Sequence, residues 1–233
     1  MDVQGKKALV FGGTSGIGLS AVQKLIAKGC EVVAISRDPN KAGDVPGATL
    51  EGCDVRDEAA LTALFAKHAP FDILISAATG GARAAGPFMQ MDLEGYRNSF
   101  DKLWGYTNCV RLGTEHLNEG GNIVLVSGAP ARRAKPGQAA IASVGGAVEQ
   151  FVRAVAVEIA PLRINVVSPG VIDTPMFGPE SEQRSKMVAG ATAKHLIPRA
   201  GTPEEVADGV LFMVENDYVT GTTIDVDGGW ILS

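Results

Sequence analysis

A glycine-rich turn near the N-terminus most narrows the folds available to this chain. It joins an apolar segment at 7–11, which predicts a buried strand, to residues 17–28, whose apolar side chains recur at helical spacing. Gly12, Gly16 and Gly18 allow a tight turn, a close backbone approach to a pyrophosphate, and a helix packed hard on its strand. Free N–H groups at the helix start then face the anion. We therefore predict a nucleotide phosphate site, with an ordinary strand-to-helix turn as the alternative.

The spacing of these glycines resembles that of the short-chain dehydrogenase/reductase family. Three residues separate the first two glycines, and one residue separates the last two. The resemblance implies that this turn lines the cofactor phosphates, and the residues concerned are Gly12, Thr14, Ser15, Gly16, Ile17 and Gly18.

Bulk properties predict one soluble α/β domain. The chain has 233 residues, of which 45% are hydrophobic, and a formal net charge of −5, which argues against nucleic acid or an anionic membrane as the main partner. No uninterrupted apolar run reaches the roughly 18 residues that span a bilayer. Cys30, Cys53 and Cys109 are widely spaced, which predicts reduced thiols and a cytoplasmic location. No metal site is predicted.

A basic residue ends the second predicted strand, which covers 30–37. Ser36 and Arg37 lie at its carboxyl end, about 20 residues beyond the glycines, where an acidic residue would bind a ribose 2′-hydroxyl. An arginine suits a 2′-phosphate instead. We therefore predict that NADP(H) is preferred over NAD(H), with a surface arginine at a strand end as the alternative.

The next strand is predicted over 48–53 and is followed by a capped helix. Asp54 and Val55, directly after the strand, resemble the pair that contacts adenine in the family. Asp57 is suited to cap the helix, which is predicted to end near His68. We predict that His68 is a solvated residue at the helix end.

The apolar run at 71–76 predicts a strand covered on both faces. The family normally continues with Asn-Asn-Ala-Gly, whereas this chain has Ser76, Ala77, Ala78 and Thr79. Small residues here keep room for a cofactor, but the amide side chains that brace the sheet in the family are missing.

The usual catalytic pair of the family is absent. Ser127 follows the predicted strand 122–126 and matches the serine that holds the substrate oxygen. The family carries a tyrosine thirteen residues later and a lysine four beyond it, where this chain has Ala140 and Val144. The segment 136–148 still resembles P-G-x-x-x-Y-x-A-S-K-A-A-V. Carbonyl reduction through a tyrosine and lysine is therefore excluded.

Lys102 is the leading candidate for a replacement proton donor. It lies in the segment 88–117, which is predicted to be mostly helical with interruptions near Gly105 and Gly113. Lys102 is three residues before Gly105, where the family has an asparagine that holds a water of the proton relay. A desolvated lysine could titrate near neutrality, at a pKa of about 7 to 8. A lysine on a solvated or subunit-facing helix surface is the alternative. The other candidates considered are Tyr96, Tyr106, Arg132, Arg133, Lys135 and His195.

After the missing pair, the chain again matches the motifs that bind the cofactor in the family. A helix is predicted over 145–160 and a strand over 163–168. Beyond them, Pro169, Gly170 and Thr174 match the family's N-x-x-x-P-G-x-x-x-T. The resemblance implies that the backbone of Ile172 pairs with the nicotinamide carboxamide and that Thr174 contacts the pyrophosphate.

The last part of the chain predicts a lid and a closing strand. Residues 177–197 resemble the variable lid over the substrate pocket, to which Met176, Phe177 and Met187 could contribute apolar side chains. Thr202 is suited to cap a final helix that begins at Pro203. A strand is predicted over 223–226, and the ending resembles the family's T-G-x-x-x-x-V-D-G-G.

These patterns together predict a single domain over 1–233, built as a Rossmann-type doubly wound sheet of seven parallel strands in the order 3-2-1-4-5-6-7. The resemblance implies a homodimer or homotetramer. We predict an NADP(H)-dependent oxidoreductase acting on a small carbonyl, imine or enone, with Ser127 orienting the substrate and Lys102 as proton donor. A non-redox lyase, isomerase or cyclase, and a catalytically silent NADP(H)-binding protein, remain as alternatives.

Overall fold

The computed structural model is built on one parallel sheet of seven strands in the order β3-β2-β1-β4-β5-β6-β7, as predicted. It describes residues 1–41, 43–79, 81–179 and 181–233. The strands are β1 (Lys7–Phe11), β2 (Glu31–Ser36), β3 (Ala48–Gly52), β4 (Phe71–Ser76), β5 (Leu117–Val126), β6 (Arg163–Pro169) and β7 (Thr223–Val226).

Burial along the strands follows their place in the sheet. Every residue of β4 and β6 is buried, because helices cover both faces of the sheet centre. The two edge strands, β3 and β7, are at most half-buried. The sheet order places the carboxyl ends of β1 and β4 side by side, and a crevice at such a reversal of strand order is where ligands bind in this architecture.

Helices cover the two faces and divide the core in two. They are α1 (Gly16–Ala27), α2 (Glu58–His68), α3 (Leu93–Asn98), α4 (Asp101–Gly113), α5 (Ala139–Ala156), α6 (Glu182–Thr192) and α7 (Pro203–Glu215). One core packs α1 and α7 against the sheet, and the other packs α2, α4 and α5 against the opposite face. Among the described residues between Ser36 and β3, the regular structure is a short 3-10 turn at Pro39–Lys41.

Helix starts differ in a way that bears on function. Asp57 caps α2 by accepting the N–H of Ala60, and Thr202 with Glu205 forms a capping box on α7. The N-terminus of α1 has no such cap, because Ser15 makes no side-chain hydrogen bond there and the first turn holds no acidic residue. The positive end of α1 is therefore left for a ligand.

Four boundaries or burial states differ from the sequence prediction. β5 begins at Leu117 instead of 122, and α5 begins at Ala139 instead of 145. α4 runs unbroken through Gly105, where Val55 occupies the space a side chain would need. The prediction that His68 is solvated is wrong: it is buried, with its Nε2 atom 3.0 Å from Glu51 Oε1.

The helix α5 is long and apolar enough to cross a membrane by composition, with 18 residues and a mean hydropathy of 1.2. Its buried face, which includes Val148 and Val152, packs on the sheet instead. Glu149 on the same helix is also buried and ion-paired. These contacts are those of a core helix.

Candidate functional site

The glycine turn between β1 and α1 requires glycine for reasons of space. Gly12 has φ of 75°, and a Cβ there would lie 3.0 Å from the backbone of Ala77 and Ala78. A Cβ on Gly18 would lie 2.1 Å from the carbonyl oxygen of Gly12, so α1 packs directly on the turn. The turn is therefore shaped as the sequence predicted, with Thr14 and Ser15 at its tip and Ile17 opening the helix.

The segment after β6 closes against this turn. The Thr174 side chain lies 3.4 Å from the position a Cβ would take on Gly16. Gly170 is needed because a Cβ there would lie 2.7 Å from the carbonyl oxygen of Asp227. One small region thus holds Thr174, the uncapped N-terminus of α1 and the glycines of the turn. This region fits a pyrophosphate.

The backbone N–H and C=O groups of Ile172 point away from Gly201, the residue with which this segment pairs. Gly201 donates its N–H to the Val171 carbonyl, and its own carbonyl accepts from Asp173 N–H, both at 2.9 Å. Alternate groups on an extended segment point to opposite sides, so the N–H and C=O of Ile172 face away from Gly201. These two groups fit the donor and acceptor of a carboxamide.

The ends of β2 and β3 form the other part of the crevice. Arg37 is exposed, and the buried Ser36 hydroxyl oxygen has no hydrogen-bond partner among the described residues. Asp54 is held by Arg56 through two contacts of 3.1 and 2.8 Å, which lowers the pKa of this carboxyl. Val55, beside it, is buried against Gly105. An adenosine would therefore meet an Asp54 carboxylate already engaged by an arginine.

Small residues follow β4 as the sequence predicted. Ser76 is fully buried, and Ala77 donates its N–H to Phe11 at 2.9 Å, which ties this loop to the end of β1. Ala78 then lies directly over Gly12. The ends of β1, β2, β4 and β6 together fit an extended dinucleotide.

The hydroxyl of Ser127 is engaged by a buried carboxylate at the end of β5. Its Oγ atom donates to Glu149 Oε1 at 3.1 Å, and its backbone N–H donates to Val167 at 2.9 Å. A hydroxyl that gives its one proton to a carboxylate can only accept from a further group. That Ser127 orients the substrate stays a prediction, and in this arrangement its hydroxyl oxygen would serve as an acceptor.

Glu149 belongs to a charged network that sequence analysis missed. The side chain is buried, and its Oε2 atom lies 3.3 Å from Arg132 Nε and 3.6 Å from an Arg153 nitrogen. Arg132 also pairs with Asp225 of β7 at 3.0 Å. Burial of a carboxylate requires such partners. The network holds α5, the segment after β5 and the edge strand together behind Ser127.

Lys102 is buried beside the end of β5. Its Nζ donates to the backbone oxygen of Ser127 at 3.0 Å. The ring of Tyr106 lies 5.6 Å from the ammonium. Burial, with a smaller contribution from the charge of Arg83, lowers the pKa of Lys102 to about 7. The alternative of a solvated surface lysine is therefore wrong.

Two ways of counting place the missing pair one residue apart on α5. Ala140, Val144 and Val148 form the buried stripe of α5 that faces the core. Counting the P-G-x-x-x-Y frame from Pro136 places the tyrosine at Ile141 and the lysine at Gly145. Gly145 faces the end of β5, since a Cβ there would lie 2.8 Å from Ala131 Cβ. With either way of counting, the two positions hold no tyrosine and no lysine.

The other proton-donor candidates are engaged elsewhere. The Tyr106 hydroxyl donates to Val126 at 3.1 Å, and burial raises the pKa of Tyr106. The Tyr96 hydroxyl donates to Ser143 at 2.9 Å. Arg132 is paired with Glu149 and Asp225. The other three candidates contact Trp230: the Lys135 ammonium lies 4.3 Å from its ring centroid, the Arg133 carbonyl accepts from its Nε1, and the His195 ring lies 5.3 Å from it.

The segment 177–197, predicted as a lid, packs on residues that follow β5 and β6, and Glu180 within it falls outside the described residues. Phe177 and Val188 pack against Val171 and Trp230 in a third, small core. Met176 and Met187 are exposed, so only Phe177 of the three predicted apolar residues is packed. His195 is buried, which lowers its pKa. Within the described ranges no cluster of ligating side chains suits a metal.

The fold and the crevice are those of a class of dinucleotide-binding oxidoreductases. Comparison with known proteins identifies the family. A family model described as "Enoyl-(Acyl carrier protein) reductase" matches residues 12–231. The chain is 29% identical to short-chain dehydrogenase/reductase ATR9 of Stachybotrys chlorohalonatus, covering 99% of this chain and 98% of that protein.

Two solved structures are also similar. One, a small-chain dehydrogenase in complex with NADPH, has a TM-score of 0.87 and 30% identity, covering 99% of this chain and 100% of that one. The other, MalC reductase/Diels-Alderase from Malbranchea aurantiaca, has a TM-score of 0.88 and 26% identity, covering 99% and 97%. The chain belongs to the short-chain dehydrogenase/reductase family of oxidoreductases.

Proposed function

We propose that this protein is an NADP(H)-dependent oxidoreductase that acts on a small carbonyl, imine or enone, with Lys102 in place of the missing tyrosine and lysine. The observation that carries the proposal is the buried Lys102 ammonium, 3.0 Å from the backbone oxygen of Ser127 at the end of β5. A group with a pKa of about 7 is suited to exchange a proton near neutrality.

When bound, the nicotinamide supplies a hydride to the substrate or takes one from it. The residues of this chain do the rest. The Ser127 carbonyl orients the Lys102 ammonium, and Lys102 gives a proton to the substrate atom that gains negative charge. Glu149 holds the Ser127 hydroxyl, so that hydroxyl can accept, but not donate, a hydrogen bond at the substrate.

The cofactor preference rests on Arg37. A guanidinium at the end of β2 suits the 2′-phosphate of NADP(H), and its exposed position leaves it accessible to a ligand. The solved NADPH complex of a relative supports the same choice. Calorimetric titration with NADPH and NADH tests it: we expect NADPH to bind more tightly, and Arg37→Glu to reverse the preference.

The catalytic proposal is tested by mixing the protein with NADPH and a panel of ketones, imines and enones while nicotinamide absorbance is followed. We expect NADPH to be consumed with at least one of these substrate classes. Lys102→Met should lower kcat by about 10²- to 10⁴-fold and leave NADPH binding unchanged. Lys186→Met is the matched control, because Lys186 is exposed on α6 and pairs only with Glu182 among the described residues. NADPH binding without consumption by any panel member would refute the redox proposal.

One comparison favours a second candidate, a cyclase. The similar structure from Malbranchea aurantiaca is named both a reductase and a Diels-Alderase. A site without the usual acid–base pair could shape a substrate for ring closure, with the cofactor bound but not consumed. Product formation without net nicotinamide turnover would support this candidate over the first. A catalytically silent NADP(H)-binding protein would show neither product formation nor nicotinamide turnover.

We also propose that the protein assembles as a homodimer or homotetramer in the cytoplasm. Trp104 on α4 and Val157 after α5 are exposed apolar side chains on one side of the molecule, which supports contact with a second copy. Light scattering of the purified chain measures the state directly.

A further inference from the structure

A buried carboxylate sets the direction of the hydrogen bond at the end of β5. Glu149 of α5 is buried, and its Oε1 atom accepts the hydroxyl proton of Ser127 at 3.1 Å. Its Oε2 atom faces two cations, with Arg132 Nε at 3.3 Å and an Arg153 nitrogen at 3.6 Å. A carboxylate beside two guanidinium groups is charged and can only accept hydrogen bonds. The Ser127 hydroxyl is therefore the donor in this pair.

The surrounding helix and strand hold Glu149 in this orientation. Glu149 lies on the helix face that carries Gly145, one turn further along α5. That face is close to the segment after β5, because a Cβ on Gly145 would lie 2.8 Å from Ala131 Cβ. Arg132, the next residue of that segment, also pairs with Asp225 of β7 at 3.0 Å. The network therefore keeps one carboxylate oxygen toward Ser127 and the other toward the arginines.

A hydrogen-bond donor and an acceptor meet at Ser127. The Lys102 ammonium donates to the backbone oxygen of Ser127 at 3.0 Å and has further N–H groups to give. The Ser127 hydroxyl has given its one proton to Glu149, so its oxygen offers lone pairs alone. A simple ketone has no proton for this oxygen. Binding such a ketone would leave the buried acceptor without a partner, which lowers affinity.

We propose that Glu149, acting through Ser127, selects substrates that carry a hydroxyl on the carbon next to the reducible carbonyl. This inference rests on the proposed function and narrows its substrate class to 2-hydroxy ketones and 2-hydroxy aldehydes. The carbonyl oxygen accepts from Lys102, and the neighbouring hydroxyl donates to Ser127 Oγ, so each polar group has a partner. Glu149 is a positioning residue, because it contacts Ser127 and not the substrate.

The test compares each hydroxy ketone with its methyl ether. The pairs are 2-hydroxyacetophenone with 2-methoxyacetophenone, and hydroxyacetone with methoxyacetone. Each ketone is titrated by calorimetry into protein loaded with NADP⁺, which has no hydride to give, and into unloaded protein. We expect at least one hydroxy ketone to bind about tenfold more tightly than its ether, because methylation removes the proton that Ser127 accepts. Ser127→Ala should make the two affinities equal, since it removes the acceptor.

Glu149→Gln separates the hydrogen bond from the shape of the site. The arginines hold the amide oxygen where Oε2 lies, so the amide nitrogen faces Ser127 and donates to it. The Ser127 hydroxyl then becomes a donor, and the ether should bind at least as tightly as the hydroxy ketone. A steric effect of the methyl group would persist, because glutamine keeps the size of the side chain. Glu158→Gln is the matched control, since it removes the same charge from an exposed position and should leave the ratio unchanged.

Equal affinity of hydroxy ketone and ether in the wild type, or no measurable heat with any of the four ketones, would overturn the inference. An unchanged ratio in Glu149→Gln would also overturn it, because that is the result of a purely structural role. If Glu149→Gln does not fold, Ser127→Ala decides, and an unchanged ratio there would count against the inference. The titration involves no hydride transfer. A hydroxyl preference without NADPH consumption would therefore refute the proposed reaction and not the selection by Glu149.

Discussion

Replacing Lys102 by methionine should change how stability depends on pH. The side chain is buried, and its pKa falls from 10.5 to about 7. Below pH 7 both the folded and the unfolded chain carry the ammonium, so the burial penalty is complete. Between pH 7 and 10.5 the unfolded chain keeps a proton that the folded chain has lost, so the free energy of unfolding of the wild type rises with pH.

The size of the effect follows from that pKa difference. The full penalty is about 5 kcal/mol, at about 1.4 kcal/mol for each pKa unit. Integrating proton binding from pH 6 to pH 9 gives a gain of about 2–3 kcal/mol for the wild type relative to Lys102→Met, which has no proton to release. The difference between the free energies of unfolding of the two proteins contains no contribution from the other titrating groups, because both proteins share them.

Urea unfolding at several pH values, followed by the fluorescence of Trp104 and Trp230 at one protein concentration, measures this difference. Lys186→Met is again the control, because its exposed ammonium carries no burial penalty and its difference from the wild type should stay nearly flat. A flat or falling difference for Lys102→Met would show that the ammonium is solvated, and the argument for Lys102 as a proton donor near neutrality would fail with it.

Three further predictions concern single contacts. Gly18→Ala should abolish NADPH binding in calorimetry and lower stability by about 1–3 kcal/mol, because its Cβ meets the Gly12 carbonyl oxygen; unchanged NADPH affinity would contradict the packing of α1 on the turn. Glu149→Leu should lower the free energy of unfolding by about 2–4 kcal/mol, since Arg132 and Arg153 lose a buried carboxylate, and Glu149→Gln by less; equal losses would argue against the ion pairs. Thr202→Ala should cost about 1 kcal/mol in urea unfolding through the lost cap of α7, and no change would mean that the capping box contributes nothing.

Sequence patterns were sufficient for the sheet because its strands are short apolar runs with turn residues at their ends. The run at 71–76 is typical, and each of its residues is buried. Helix boundaries were harder to predict. The helix predicted over 145–160 begins earlier in the structure, because packing of Ala140 and Val144 on the sheet extends α5 back to Ala139. Tertiary burial outweighed local preference there.

The charged part of the site could not be read from spacing. Glu149 has the periodicity of a solvated helix residue, and its partner Arg132 comes from a segment seventeen residues earlier. Nothing local indicates that the two meet behind Ser127. Lys102 was located only through a resemblance, because burial of a lone lysine depends on the elements above it. A buried ion pair across separate elements is a tertiary property.

The glycine at 145 has a consequence for the engineering of this protein. Because a Cβ there would lie 2.8 Å from Ala131 Cβ, Gly145→Lys alone would push apart α5 and the segment after β5. By the count from Pro136, installing a tyrosine and a lysine would need Ile141→Tyr and Gly145→Lys together with a compensating Ala131→Gly. A lysine introduced there by itself would lower stability before it could serve any reaction.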